Sequence, residues 1–192
     1  MLSMIPVRDR ILDAAIDVAI DHGIARLSVG DVARRAGLSR QTLYKYFPSK
    51  QALVAEVVLR EADQIVRQVI EAAVPFDDPR DALEAGFRTT LRLTREHPLL
   101  DRLVRTEPGS LLPLLTSAEG PVMSAVRAAV EGIVELKFPE ISPYQRRRGA
   151  DVIARLLVSY AVGPPDENQS EVVATTMADF FTVGMLTPPV RA

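Results

Sequence analysis

Apolar residues recur along most of the chain at intervals of three and four positions, which is the spacing of one face of an α-helix. The first such stretch covers 8–22, and its stripe consists of Ile11, Ala14, Ala15, Val18 and Ala19. No stretch shows the strict alternation of apolar and polar residues that is typical of a half-buried β-strand. The pattern therefore predicts an all-α protein.

Glycine, proline and capping residues divide this pattern into separate helices. Gly23 and Gly37 are expected to end the first two helices, and Pro48 disfavours helix at the residue before it. Ser28, with Asp31 three residues later, predicts a capping box at the start of the second helix. These signals predict about nine helices, at 8–22, 28–36, 40–47, 50–73, 81–97, 99–106, 110–137 with an interruption near Gly120, 143–161 and 169–186.

Composition allows a sizeable core, because 47% of the 192 residues are hydrophobic. The absence of cysteine excludes disulfides, thiolate metal sites and cysteine nucleophiles. No stretch approaches the 18 apolar residues of a membrane span, and the first ten residues lack the apolar core of a signal peptide. A cytoplasmic protein without membrane contact is expected. A first unit of about 50 residues precedes the long helix 50–73, and the clearest break, "VPFDDPRD" at 74–81, follows that helix. We therefore predict two domains, 1–53 and 54–192, with the long helix leading into the second.

Charge is distributed unevenly along the chain, although the net charge is only −2. Residues 26–50 contain six basic side chains and one acidic one, Asp31. A patch of this kind attracts a polyanion even on a slightly acidic protein. The alternative is a solvated basic face without a partner, and charge alone does not separate the two.

Two short helices joined at Gly37, after a third that packs on them, indicate a helix-turn-helix. Leu43 is expected to face inward from the second helix of the pair, 40–47. The side chains left to point outward are Arg40, Gln41, Thr42, Tyr44, Lys45 and Tyr46. Arginine and glutamine suit guanine and adenine edges, and tyrosine hydroxyls suit phosphate. Lys50 and the free amides at the start of the next helix would form a phosphate clamp.

The stretch 11–53 resembles the DNA-binding domain of the TetR family of bacterial transcription regulators. The resemblance is carried by Gly37, Thr42, Leu43, Tyr44, Tyr46, Phe47 and Lys50. It implies a helix-turn-helix regulator whose DNA contacts come from Ser28, Arg40, Gln41, Thr42, Tyr44, Lys45, Tyr46 and Lys50. Gly30 departs from the family, whose members often carry a polar or basic side chain at this position that touches DNA.

The resemblance further implies that 54–192 is a helical domain that binds an effector and forms a homodimer. The apolar middle segment favours a small, mostly apolar effector. The expected pocket residues are Leu91, Leu99, Leu103, Glu107, Leu115, Met123, Val126 and Arg127. The apolar stripes of the last two helices predict the dimer interface, with Ile153, Leu157, Tyr160, Val173, Met177, Phe180 and Phe181. The alternative for these stripes is that they cover the core of their own subunit.

Several functions are consistent with these features. The favoured one is a homodimeric repressor that a small effector releases from a palindromic DNA operator. An activator or architectural DNA-binding protein without an effector, and a helical module that binds an acidic protein, stay open. An enzyme is disfavoured, because His22 and His97 are the two histidines and no phosphate-binding, dinucleotide-binding or hydrolase motif is present. No catalytic residue, metal ligand or cofactor is predicted.

Overall fold

The computed structural model describes residues 6–186, and these residues form ten α-helices and no β-strand. The helices are α1 (Val7–His22), α2 (Val29–Arg35), α3 (Arg40–Tyr46), α4 (Lys50–Ala73), α5 (Pro79–Glu96), α6 (Pro98–Thr106), α7 (Pro108–Thr116), α8 (Pro121–Lys137), α9 (Pro143–Val162) and α10 (Glu167–Leu186). The prediction of an all-α fold is confirmed.

One predicted helix, 110–137, consists of two helices, α7 and α8. The chain leaves helical geometry after Thr116, and Gly120 adopts an extended conformation with φ −68° and ψ 153°. Pro121 then occupies the first position of α8, where its missing N–H costs no hydrogen bond. The interruption expected near Gly120 is therefore a complete helix boundary, which raises the count from nine to ten within residues 6–186.

The helices are distributed over two compact units. The amino-terminal unit comprises residues 6–61 together with Pro98–Leu114, and the carboxy-terminal unit comprises Ala62–His97 and the residues from Leu115 onward. The amino-terminal unit thus includes α6 and most of α7, which come from the middle of the sequence, and α4 contributes residues to both units. The predicted division into a DNA-binding domain, 1–53, and an effector-binding and dimerisation domain, 54–192, stays a prediction.

The amino-terminal unit has a core in which α1 packs against both α2 and α6. Ile11, Leu43 and Leu53 are completely buried, so α1, α3 and the start of α4 share this core. Ion pairs tie α4 back to α1: Arg60 contacts Asp13 at 2.5 Å. The burial of these apolar side chains is the main source of stability, because α2 and α3 have only seven residues each and such short helices do not persist alone.

The carboxy-terminal unit is built on α5, α8, α9 and α10. The helix α5 packs along α10 and also contacts α9, and α8 packs along α9. The shared core includes Phe87, Val134, Phe138 and Ile153, all almost fully buried, and the ring of Phe181 lies 5.9 Å from that of Phe87. Across the described part of the chain, every helix is too short or too polar to cross a membrane.

Candidate nucleic-acid interface

The turn between α2 and α3 is fixed by backbone hydrogen bonds around Gly37. The N–H of Leu38 donates to the carbonyl of Ala33 at 2.8 Å, and the N–H of Gly37 donates to that of Arg34 at 3.1 Å. This pair of bonds is the Schellman ending of a helix, which places its glycine in the left-handed region. Gly37 has φ +68°, so a side chain there would be strained. The predicted glycine turn is confirmed.

The start and end of α3 are equally well defined by the sequence. The Oγ of Ser39 accepts a hydrogen bond from the N–H of Thr42 at 3.0 Å and so caps the helix. Phe47 leaves the helix with φ −132° and ψ 105°, as expected for the residue before a proline. Since Phe47 and Leu43 are both buried, they hold α3 against the core in one orientation.

This orientation exposes one polar and aromatic face of α3. Arg40, Gln41 and Lys45 are exposed, and Thr42 is half-buried with its Oγ1 2.9 Å from the Oγ of Ser39. Tyr44 and Tyr46 are 48% and 45% exposed, although tyrosine normally buries most of its ring. Every side chain predicted to point outward from α3 is therefore accessible to a partner to a considerable extent.

The beginning of α2 differs from the prediction. Ser28 has an extended backbone, but its side chain makes no capping hydrogen bond, so the predicted capping box is absent. The Asp31 carboxylate accepts from Arg34 at 2.6 Å, and Arg35 contacts Asp21 at 2.9 Å. An ion pair with Arg34 competes for the carboxylate that the capping box needed. These two arginines have acidic partners, which favours the solvated-face interpretation for them.

Lys50 begins α4 and contacts the loop between α1 and α2. The Nζ of Lys50 donates to the carbonyl of Ala25 at 2.7 Å. The backbone N–H of Ala25 donates to Oε2 of Glu107 at 2.8 Å. An ammonium has three donors, so this bond leaves Lys50 able to contact a phosphate as well. Lys50 of α4 thus holds the carbonyl of Ala25, and Glu107, which follows α6, holds its N–H.

Glu107, one of the predicted pocket residues, contacts the loop between α1 and α2. It belongs to the amino-terminal unit, where its carboxylate lies so close to Gly23 that an added Cβ would stand 1.8 Å from Oε1. Gly23 also has φ +84°, a backbone conformation that favours glycine, so both the space and the backbone favour glycine at this position. No spacing in the sequence indicated these contacts, because Glu107 is 82 residues from Ala25 along the chain and still farther from Gly23.

The predicted effector pocket is divided between the two units. Leu99 and Leu103 lie on α6 and are buried in the amino-terminal unit, together with Glu107. The remaining members of the predicted set, all in the carboxy-terminal unit, are Leu91, Leu115, Met123, Val126 and Arg127. The structure therefore does not bring the eight residues together within one unit.

Arg127, another predicted pocket residue, is bonded within its own unit. Its Nη2 donates to the carbonyl of Ala118 at 2.9 Å, and its Nε lies 3.1 Å from Oδ1 of Asp151. Arg155 donates to the same carboxylate, and this bond, ahead of the charge of Arg127, holds the pKa of Asp151 below its usual value. A pocket lined by the remaining five residues stays a prediction.

The predicted dimer residues are mostly buried within the chain itself. Ile153, Leu157 and Met177 belong to the core of the carboxy-terminal unit, so they are not available to a second subunit. Three more predicted residues, Tyr160, Val173 and Phe181, pack partly buried against that core. This part of the prediction is corrected: the stripe that we assigned to the interface covers the subunit's own core. Phe180 is the exception, with 75% of its surface exposed.

Each of the last two helices has a second, exposed apolar stripe, of which the prediction named only Phe180. Val152 and Leu156 are exposed on α9, and Val172, Phe180 and Val183 are exposed on α10. Residues 172, 180 and 183 recur at intervals that share one helix face. The signal was present in the sequence, because α9 and α10 carry apolar residues on more than one face, but periodicity does not say which face is inside.

Comparison with known proteins identifies both halves of the chain. Residues 11–57 match the family model of bacterial regulatory proteins of the tetR family, and residues 78–182 match the model of the tetracycline repressor C-terminal domain. The second match covers more than half of the chain. Both agree with the helix-turn-helix and the helical second unit described above.

Individual relatives are also transcriptional regulators. The chain is 29% identical to the HTH-type transcriptional regulator AlkX of Mycobacterium tuberculosis, over 92% of this chain and 83% of that protein. It is 34% identical to the repressor KstR of Mycolicibacterium smegmatis, over 48% and 46% of the two chains.

Among solved structures, the TetR family repressor AlkX from a Dietzia strain superposes with a TM-score of 0.76 at 25% identity. The superposition covers 92% of this chain and 96% of that one. Proteins of this family regulate transcription and are not enzymes. The exposed face of α3, the glycine turn behind it and the matches over both units lead to one conclusion: the chain is a transcriptional regulator of the TetR family.

Proposed function

We propose that this regulator is a homodimeric repressor that binds a pseudo-palindromic operator and leaves it when a small apolar effector binds. The observation that carries the proposal is the exposed face of α3, on which Gln41, Tyr44 and Lys45 stand outward while Leu43 and Phe47 fix the helix from behind. A helix of this length presents about two turns, which suits the width of the major groove.

The exposed side chains divide into base-reading and phosphate-binding groups. Arg40 and Gln41, at the amino-terminal end of α3, have donors and acceptors that match guanine and adenine edges. Tyr44, Lys45 and Tyr46 are proposed to contact phosphates together with Ser28 and Lys50. Phosphate contacts fix the position of a protein on the duplex, and base contacts set its sequence preference.

The homodimer is proposed to form through the exposed stripes of α9 and α10. Val152 and Leu156 stand on one helix and Val172 and Phe180 on the other, and the two helices contact each other within the unit. Several exposed apolar side chains on two neighbouring helices are typical of an interaction surface. A two-fold axis would bring the same surface of a second copy against it and so present two copies of α3 to DNA.

The effector is proposed to be a molecule with a long alkyl or acyl chain. The five predicted pocket residues that belong to the carboxy-terminal unit are predominantly apolar, and two of them, Met123 and Leu91, are almost fully buried. The Dietzia repressor is described as implicated in the biodegradation of n-alkanes. By linkage, an effector that weakens operator binding about 5–150-fold needs a coupling free energy of roughly 1–3 kcal/mol. Such a regulator works in the bacterial cytoplasm, where its operator lies.

Selection of bound duplexes from a random pool tests the proposal. The purified chain is expected to enrich a two-fold symmetric sequence, and adding n-alkanes or long-chain acyl compounds is expected to weaken that binding. Equal binding to the selected duplex and to heparin at matched charge would show a general polyanion binder instead. Tight operator binding that no alkyl compound alters would leave a DNA-binding protein with a different effector or none.

A further inference from the structure

Arg40 and Gly30 contact each other across the helix-turn-helix. The guanidinium of Arg40, at the start of α3, lies over Gly30 in the first turn of α2. A Cβ added at Gly30 would stand 2.3 Å from Nη2 and 2.7 Å from both Cζ and Nε. Real Cβ atoms do not approach other atoms so closely, so the arginine occupies the space of a side chain at residue 30.

In the part of the chain that the structure describes, no polar partner holds the guanidinium in this place. Within residues 6–186, Arg40 has no ion pair and no side-chain hydrogen bond, whereas the neighbouring Arg34 and Arg35 each contact a carboxylate. The start of a helix carries partial positive charge, so the amino-terminal turn of α2 does not attract a cation either. Space, rather than charge, permits this conformation.

We infer that Gly30 is a specificity-determining residue, because the space beside its Cα sets the direction in which Arg40 presents its donors to DNA. Gly30 acts through Arg40 and is therefore a positioning residue. Arginine reads guanine with two parallel hydrogen bonds, and their geometry depends on the approach of the guanidinium plane. The inference rests on the proposed function, since it assigns a role within the binding of operator DNA by α3.

A methyl group at residue 30 separates this role from a structural one. Gly30→Ala should favour α2, because alanine is the better helix former. The fold should survive, because the atoms that must move are the end of a flexible side chain. Arg40 must, however, take another rotamer. A structural role alone would change the midpoint of thermal unfolding and leave base preference as it was.

The experiment compares the base preference of five proteins by selection from random duplexes, followed by affinity measurements on single-base variants of the selected operator. The proteins are the unaltered chain, Gly30→Ala, Arg40→Ala, the double variant and Gly132→Ala. Gly132 is the matched control, because it also lies within a helix, α8, and a Cβ there meets nothing within 4 Å.

The inference predicts that Gly30→Ala and Arg40→Ala change preference at the same base pair, each by about 5-fold or more, within the 5–150-fold range of a bidentate contact. The double variant should match Arg40→Ala alone, and Gly132→Ala should match the unaltered chain. If Gly30→Ala keeps the original preference while Arg40→Ala changes it, the inference is wrong and the proposed function stands. If the unaltered chain selects no sequence, both are overturned.

Discussion

The exposed face of α3 and the exposed faces of α9 and α10 differ in chemistry, although all three helices are held by a buried apolar stripe. The face of α3 carries cations, an amide and two tyrosine hydroxyls, whereas α9 and α10 expose valine, leucine and phenylalanine. Donors and cations can exchange water for phosphate and base edges, but apolar surface gains free energy only by leaving water. One helix surface is therefore suited to a polyanion and the other to a second protein surface.

The largest effect is expected at Phe180. Phe180→Asp places a charge at the centre of the proposed dimer surface, where it would lose its hydration without a partner. The dimer dissociation constant should rise by at least about a hundredfold, a change that substitutions at the centre of an interface commonly reach. Sedimentation velocity at micromolar concentration measures it. Because Phe180 is exposed in the single chain, thermal unfolding of the monomer should change little.

Leu136→Asp is the matched control for that substitution. Leu136 lies on α8 and is 58% exposed, so the same apolar-to-acid change occurs on a helix that carries no part of the proposed dimer stripes. It should leave the dimer intact. A dimer that survives Phe180→Asp and dissociates with Leu136→Asp would move the interface to another face of the carboxy-terminal unit.

A second substitution separates the core stripe of α9 from its exposed stripe. Ile153→Ala removes a fully buried side chain and should lower the free energy of unfolding by about 2–5 kcal/mol. Val152→Ala, one residue earlier on the exposed face, should change it by less than about 0.5 kcal/mol when both variants are made in the monomeric Phe180→Asp background, where the proposed dimer contact is absent. Chemical denaturation measures both. Comparable losses from the two variants would contradict the assignment of the two faces.

The next effect concerns the polar face of α3. Lys45→Ala should weaken binding to every duplex and lower the slope of affinity against salt concentration by about one, because one phosphate contact is lost. Arg92→Ala removes the same charge from α5 and should leave that slope unchanged. Fluorescence anisotropy over a range of salt concentrations gives both slopes. Equal salt slopes for Lys45→Ala and the unaltered chain would show that Lys45 does not contact a phosphate.

The smallest effect is expected where Glu107 holds the loop before α2. Glu107→Ala removes the acceptor of the Ala25 N–H and should cost about 1 kcal/mol in the free energy of unfolding. Glu107→Gln keeps an oxygen of similar reach and should lose less. Hydrogen exchange of the Ala25 amide checks the contact directly. Protection that is the same in all three proteins would mean that Glu107 does not hold this loop.

Sequence reasoning was most successful where local chemistry determines the structure. Gly37, Ser39 and Pro48 act on their immediate neighbours, so the turn, the start of α3 and its end could be predicted from a few residues. It failed where the outcome depends on distant parts of the chain. Glu107 contacts a loop 82 residues away. The missing cap at Ser28 is a local failure, because Asp31, which the capping box needed, pairs with Arg34 in the same helix.

The assignment of helix faces shows the same limit. On α3 only one stripe is apolar, so its inner and outer faces follow from the sequence. On α9 both Ile153 and Val152 are apolar but point to different sides, and only packing against α5 and α8 decides which is buried. Periodicity predicts that such a helix is present more reliably than it predicts which of its faces is buried.

A footprint of the full chain on its selected operator tests the central claim that paired copies of α3 dock in the major groove. Hydroxyl-radical cleavage should show two protected patches of equal strength, with centres about 34–36 Å apart or a multiple of that distance. Both patches should fade together with Gln41→Ala combined with Lys45→Ala. A single protected patch, or two patches that these α3 substitutions leave unchanged, would contradict the account.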